Sequence, residues 1–439
     1  VSNGSTGVDD FIGAGADNAA SGDGAFVGAG GEVYFALQAD EPSQPGNVAY
    51  GEDSFVGAGD LNQVSGQGSF IGAGGSSYAA SGGNPPGNQI SGVDSFIGAG
   101  DRNYVNASKS FIGAGGYLTT PSNGKTNYIE AIDSFVGAGD SNYVGASDIF
   151  IGAGLNDVAY GTNAEIAGGD GNTASGAYGS VAGGYHNSAT ASAAAVGGGS
   201  SSSATGAYAT IPGGYLNAAN GTGSFAAGTQ AKARHNGAFV WSDNNGTAEV
   251  QSTAPDQFVA RASGGFYLLT DATAKTGVKL NPGSGAWASL SDRTTKTGVV
   301  AIDDAAMLAR VWALPVTEWS YTAERGVRHV GPMAQDFYVA FRVGEDDRHI
   351  TSIDEGGVAL AATKALAAEN HGLHADNRAL HQENLDLHAE NRDLRERLAR
   401  NAGRFARDEA QRARDEVRRA LDAARLLALE RKVDALAAR

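Results

Sequence analysis

The chain has 439 residues, 41% of them hydrophobic and only 18% charged, yet its formal net charge is −17. It holds 65 glycines and no cysteine, which excludes a disulfide framework and a cysteine-based zinc site, and the glycines follow no Gly-X-Y period of the collagen kind. The apolar share is too high for a simple disordered chain, and no window of about 18 apolar residues predicts a membrane-spanning helix.

Charge and glycine are concentrated in the first half. Residues 1–230 hold 19 acidic and three basic side chains, a net of −16, together with 50 of the glycines, whereas residues 231–439 hold 29 acidic and 28 basic side chains. A surface of that sign repels nucleic-acid phosphates and anionic lipids, so no nucleic-acid partner is expected. Its simplest use is solubility and shielding of a long β surface. The chain opens at Val1 with no charged-then-apolar leader, so no signal peptide is visible.

Residues 1–230 are filled by a 15-residue repeat. The element Phe-(Ile/Val)-Gly-Ala-Gly starts at Phe11, Phe26, Phe55, Phe70, Phe96, Phe111, Phe135 and Phe150, and the register continues through Ile166, Val181, Val196, Ile211 and Ala226. Thirteen copies of one apolar position with glycine corners predict a parallel β-roll or β-solenoid, a rod of roughly 60 Å if each coil advances by one strand spacing. The Ile/Val position is expected inside, and the preceding Phe on the other face, because strand side chains alternate. Eight Phe in a row make a large apolar stripe, which predicts either burial between chains, in a homotrimer, or a wide single-chain solenoid with two internal rows.

Three insertions of 14, 11 and 9 residues fall at one corner, before Asn47, Asn88 and Asn127, and carry turn formers such as Pro42, Pro85 and Pro121. Tyr34, Phe35, Tyr78, Tyr117 and Tyr128 lie in or beside them. Loops on a rigid scaffold suit recognition, so these aromatics are candidate contacts for a cell-surface glycan or polymer; decoration without function is the alternative.

Stretches such as Gly171-Asn-Thr-Ala-Ser-Gly176 and Ala182-Gly-Gly-Tyr-His-Asn187 resemble the head repeats of trimeric autotransporter adhesins. That resemblance implies a left-handed β-roll wound as a trimer over residues 1–230. The charged helical C-terminus departs from the membrane β-barrel that ends such adhesins.

From 231 to 290 the glycine density falls and short strands such as Gly237-Ala-Phe-Val-Trp-Ser242 predict a β-rich neck. Ser291-Asp-Arg-Thr-Thr-Lys296 follows. With Leu314-Pro-Val-Thr-Glu-Trp319, Arg328-His-Val-Gly-Pro-Met-Ala-Gln-Asp-Phe337 and Gly357-Val-Ala-Leu-Ala-Ala362, it resembles the peptidase S74 family of C-terminal intramolecular chaperones from phage endosialidases and tail spikes. The resemblance covers 291–366. It implies an α+β domain that assists folding and trimerisation of the β-structure before it and then cuts itself off at the motif serine. It also implies a phage tail fibre or a bacterial surface as the setting.

The residues support such chemistry in their own right. A serine hydroxyl needs a base to take its proton, and a lysine serves where burial or neighbouring positive charge, here Arg293, lowers its pKa. Ser291 is the expected nucleophile, Lys296 the base, and Leu290–Ser291 the cleaved bond, a single-turnover serine endopeptidase activity with no external substrate. Asp292 and Arg293 match the motif, with capping and ion pairing as their alternative roles. The Thr294-Thr295 pair departs from the family pattern and bears on cleavage rate. His329, Gln335 and Asp336 read as fold-defining or interface positions. No cofactor and no metal site are expected.

Leu373, Leu380, Leu387 and Leu394 recur every seven residues, each three residues after an asparagine, at 370, 377, 384 and 391. With Leu at d and Asn at a, 367–403 predicts a parallel coiled coil that is weak but fixed in register. The heptad is expected to break beyond Gly403, leaving 404–439 as a charged helical tail. The fold class is therefore mainly β with a C-terminal α part, and the function that of a self-cleaving trimeric fibre or adhesion-type protein. The rivals are a non-cleaving structural fibre and a β-solenoid polysaccharide-degrading enzyme.

Overall fold

The computed structural model describes residues 3–31, 46–75, 87–116, 127–324 and 326–438. The chain divides into two compact units, Val1–Thr270 with Gly277–Ala288, and Asp271–Thr276 with Ser289–Arg439.

The first unit is a mainly-β solenoid. Each 15-residue coil carries two short strands, not one, so two parallel sheets form, of 15 and 16 strands. One sheet runs from Gly4–Ser5 to Val250–Gln251 and the other from Phe11–Ile12 to Phe258–Arg261. Both ladders pass position 230 without a break. The register is strict even across an insertion: Phe111 faces Phe135 and Ile112 faces Val136.

The core is a double row. Ile71, Ile97, Ile112, Ile151 and their counterparts point inward from one sheet and are fully buried. They meet a second row from the other sheet, Val64, Ile90, Val105, Ile129 and Val144, which shrinks to Ala159, Ala174, Ala189, Ala204 and Ala219 in the later coils. Each buried Val or Ile contributes about 1.5–3 kcal/mol by leaving water. The Phe row points outward as expected. Its rings stack on one another from Phe11 to Phe150 with centroids 4.5–5.2 Å apart, so most are half-buried by their own neighbours.

Close coil stacking explains the Gly-Ala-Gly corner. Gly59 has φ +108°, and a Cβ there would lie 1.8 Å from the Gly74 carbonyl oxygen, so only glycine fits. Behind most corners stands a buried asparagine: Asn18, Asn47, Asn62, Asn88, Asn103, Asn127, Asn142, Asn172, Asn187 and Asn217 form a ladder, with Asp157 and Ser202 in the same place in two coils. Asn62 is representative. Its Nδ2 donates to Gly74 O at 2.7 Å, and its Oδ1 accepts from the Asn88 backbone N–H at 3.1 Å. The side chains thereby satisfy backbone groups that a tight corner leaves unpaired.

After the solenoid, Phe266–Leu269 pairs antiparallel with Gly277–Leu280, and Trp287–Ser289 adds a third strand. The second unit contains a 3-10 turn at Arg293–Thr295, helix α1 (Asp304–Ala313), a hairpin of Thr317–Trp319 with His329–Gly331, helix α2 (Ala334–Phe341) and helix α3 (Ser352–Ala437). Asp303 and Thr351 cap α1 and α3 by accepting from Ala306 N and Asp354 N. Its core is small: Phe337, Phe341 and Val358, with Met307, Val311, Leu314 and Ile350 packed around them.

Helix α3 has 86 residues and an estimated length of about 130 Å. It runs through Gly403 without interruption. One glycine costs a helix only about 1 kcal/mol, too little to end one this long. The apolar heptad nevertheless lapses beyond Gly403 before it returns near the end of the helix. Leu398, Phe405, Leu426 and Val433 fall at a, and Leu429 and Leu436 at d, with Arg412 and Arg419 at a and Asp408, Asp415 and Asp422 at d between them.

Candidate functional site

The motif Ser291–Lys296 is folded by its own second and fourth residues. Asp292 is the N-cap of the 3-10 turn, and its Oδ1 accepts from both the Thr294 backbone N–H and the Thr294 hydroxyl, each at 2.7 Å. The Thr294 N–H first, and then its hydroxyl, hold the Asp292 carboxyl below the usual carboxylate range. Thr295 Oγ1 donates to the Asp292 carbonyl at 2.8 Å, and the Lys296 N–H closes onto Arg293 O at 3.2 Å. The Thr294-Thr295 pair, the departure from the family pattern, is thus what knots the turn.

The turn reverses the chain, and Lys296 Nζ donates to Ser291 Oγ at 2.6 Å. To act as the base, a lysine in this place must present a free amine lone pair to the serine hydroxyl. Residues 289–300 are all exposed, Leu290 included, so the single chain leaves this pair in water. The arrangement supplies contact between a hydroxyl and an amine next to the Leu290–Ser291 bond. Arg293 sits inside the same turn.

The other candidates lie apart. His329 stacks on Trp319 with centroids 4.8 Å apart, meets Tyr321 edge-on, and has Nε2 3.3 Å from Glu324 Oε2. Gln335 and Asp336 occupy the first turn of α2. Among the described residues no hydrogen bond or ion pair joins these three to Ser291 or Lys296.

Of the candidate ligand aromatics, Tyr34, Phe35, Tyr78 and Tyr117 lie outside the described residues. Tyr128 lies beside the third insertion, in a strand and not in the loop itself. It belongs to the strand Tyr128–Ile129, is 7% exposed, and stacks between Tyr104 and Tyr143 with centroids 4.9 and 5.6 Å away. Burial, then Glu130, raises its phenol pKa, and the same causes push Tyr143, which donates to Glu130 Oε2, up to about 12. These rings form a second aromatic ladder on the sheet opposite the Phe row. Its signal, a Tyr eight residues after Phe96 and again after Phe135, was available in the sequence.

Among the described residues no group of three or more His, Asp or Glu side chains is placed to hold a metal ion, and no helix is long and apolar enough to cross a membrane. No curated protein matches the chain. Residues 291–342 match the family described as Peptidase_S74, chaperone of endosialidase. The match opens at Ser291, the first residue of the knotted turn. The chain thus carries a C-terminal Peptidase_S74-type chaperone segment after a β-solenoid.

Proposed function

We propose that the chain is a homotrimeric fibre or surface adhesion-type protein, and that its C-terminal segment drives assembly and then severs the Leu290–Ser291 bond. The observation that carries this reading is the 2.6 Å contact between Lys296 Nζ and Ser291 Oγ at the start of the matched segment.

The steps follow from that contact. Lys296, once neutral, takes the Ser291 hydroxyl proton, and Oγ adds to the Leu290 carbonyl carbon. The tetrahedral intermediate collapses with loss of the Ser291 amide nitrogen, which receives the proton back from Lys296. An ester now joins Leu290 to Ser291 Oγ. Water hydrolyses it, leaving a Leu290 carboxylate and a free Ser291 amine and hydroxyl.

Trimerisation supplies what the isolated turn lacks. Covering the turn with neighbouring chains would remove water from Lys296 and favour its neutral form. The chain offers faces for such neighbours: the Leu373–Leu394 seam is about half exposed, and the Phe row presents ring edges along one sheet. Under this reading the adhesin-like head meets a surface glycan or polymer through its inserted loops, on a phage tail fibre or a bacterial surface.

Mass spectrometry of the full chain beside Ser291→Ala tests the proposal. Wild type should yield a fragment ending at Leu290 and another beginning at Ser291, both absent from the variant, and the intact species should have the mass of three chains. The open, fully exposed turn favours one second reading, a chaperone segment that does not cleave; a wild type that stays whole after assembly into trimers would select it.

A further inference from the structure

One rung of the asparagine ladder is an acid. Asp157 stands between Asn142 and Asn172 at the same position of the coil and is fully buried. Its backbone N–H donates to Asn142 Oδ1 at 3.1 Å, and its own Oδ1 accepts from the Asn172 N–H at 2.8 Å and from Asn172 Nδ2 at 3.1 Å. To this point it behaves as every other rung does.

The other carboxyl oxygen breaks the pattern. In each neighbouring rung, Nδ2 donates to the carbonyl four residues earlier and to the one twelve residues later. Asn142 bonds Ala138 O at 3.4 Å and Gly154 O at 3.0 Å, and Asn172 bonds Gly168 O and Gly184 O, both at 3.1 Å. The equivalent acceptors for residue 157 are Ala153 O and Gly169 O. Asp157 Oδ2 occupies the amide's place and has no hydrogen-bond partner among the described residues. The slot is closed: a Cβ on Gly154 would lie 2.1 Å from Oδ2 and 2.8 Å from Gly169 O.

An ionised carboxylate in that slot points a charge at carbonyl oxygens with no water to solvate it. A neutral carboxylic acid instead has an O–H, a donor where the ladder needs one. The residues two places before the rung at the same corner of the coils before and after are also acids, Asp140 and Asp170, while Tyr143, Asp148, Tyr160 and Glu165 lie elsewhere on these coils; none of Asp140, Asp157 and Asp170 forms a salt bridge among the described residues. Burial raises the Asp157 pKa most, and the charge of Asp170 adds to it, against the Asn172 hydrogen bonds.

The position in the rod matters as much as the chemistry. The Phe stack ends at Phe150 and the Tyr ladder at Tyr160. The inner wall steps from Val144 to Ala159 at the same level. Asp157 sits where the aromatic-clad stretch of coils gives way to the small-residue stretch.

We propose that Asp157 is held as the neutral acid in the folded solenoid, and that its ionisation is a built-in, pH-sensitive weak point between the two stretches of the rod. The sign follows from linkage. The group is neutral when folded and ionises readily when unfolded, so its contribution is fully present below the unfolded carboxylate value of 3.8 and is lost as pH rises from there towards the raised folded value. Across that window the unfolding equilibrium constant grows by up to tenfold per pH unit on account of this one proton.

The test uses the full chain. The infrared spectrum of wild type near neutral pH should contain the carbonyl stretch of a protonated carboxylic acid, and Asp157→Asn, which restores the ladder's own residue, should lose it. The solenoid's melting transition, read by near-ultraviolet dichroism of the stacked rings, should fall with rising pH in wild type more steeply than in Asp157→Asn. The reverse variant, Asn187→Asp, should gain a second acid band and a steeper pH dependence. Identical infrared spectra for wild type and Asp157→Asn, or parallel pH profiles, would overturn the proposal.

Discussion

Replacing Asn103 with alanine tests whether the asparagine ladder holds the rod together. Its Nδ2 donates to Asn88 Oδ1 at 2.9 Å, Ala99 O at 3.2 Å and Gly115 O at 3.0 Å, and its Oδ1 accepts from Asn127 Nδ2 at 2.9 Å. Alanine removes all four. Three of the groups left behind keep another partner, because Asn88 Oδ1 still accepts from the backbone N–H of residue 103, Gly115 O still accepts from Asp101 N, and Asn127 Nδ2 still reaches Gly139 O. At a net of about 1 kcal/mol per hydrogen bond the loss is about 3–4 kcal/mol, a large fraction of an ordinary domain's stability. Because coils contact only their neighbours, the damage should be local. Amide exchange should accelerate in the coils around residues 88–142 and remain slow near residue 217, while urea unfolding followed by near-ultraviolet dichroism shifts to lower concentration. A shift worth less than about 1 kcal/mol, or exchange that accelerates evenly along the rod, would refute the ladder as a structural spine.

Three further outcomes are expected. Lys296→Arg keeps the positive charge and the reach but cannot give up a proton near neutral pH, so it should leave the Leu290–Ser291 bond uncut on a denaturing gel, as Ser291→Ala should. Gly59→Ala places a methyl 1.8 Å from Gly74 O and should lower the yield of folded protein, whereas alanine at the open position Gly4, where nothing lies within 4 Å, should be tolerated. Leu380→Asp with Leu387→Asp puts charge into the d positions of α3 and should reduce the mass seen by light scattering from three chains to one, with α3 helicity lowered in parallel.

The repeat made the solenoid legible because its period is a length, and a length survives the change from Phe to Glu165 or Ser180 on the outer face. What the Phe-Ile pair concealed was the second strand of each coil. That strand reads Gln63-Val64 in one coil, Tyr104-Val105 in another and Ser188-Ala189 in a third, so its outer residue has no fixed chemistry and only its inner one is consistently apolar. The asparagines were visible at a constant offset, but an asparagine near a glycine reads equally well as a turn former. Only the carbonyl oxygens brought in by adjacent coils distinguish a buried rung from an exposed corner. The Ser291–Lys296 contact followed from spacing plus family pattern, whereas the Asp292–Thr294 knot that creates it is a side-chain geometry no spacing encodes.

The two units differ in how far each satisfies itself, and this bears on why a cut between them would be tolerated. The solenoid has a continuous buried core from Ala20 to Val240, and its outward aromatics shield one another by stacking. The second unit buries three large core residues and leaves Trp312 91%, Leu360 74% and Val330 71% exposed, with Leu seams along α3. Exposed apolar surface of that extent marks an interaction face, as the proposed role of this segment in bringing chains together requires. The first compact unit ends at Ala288, two residues before the Leu290–Ser291 bond. Cleavage there removes little that the rod needs for its own stability. Under the proposed cleavage, a ladder that holds itself would part from helices whose apolar faces stand uncovered in the single chain, so a severed rod would persist by slow unfolding and not by continued attachment to the second unit.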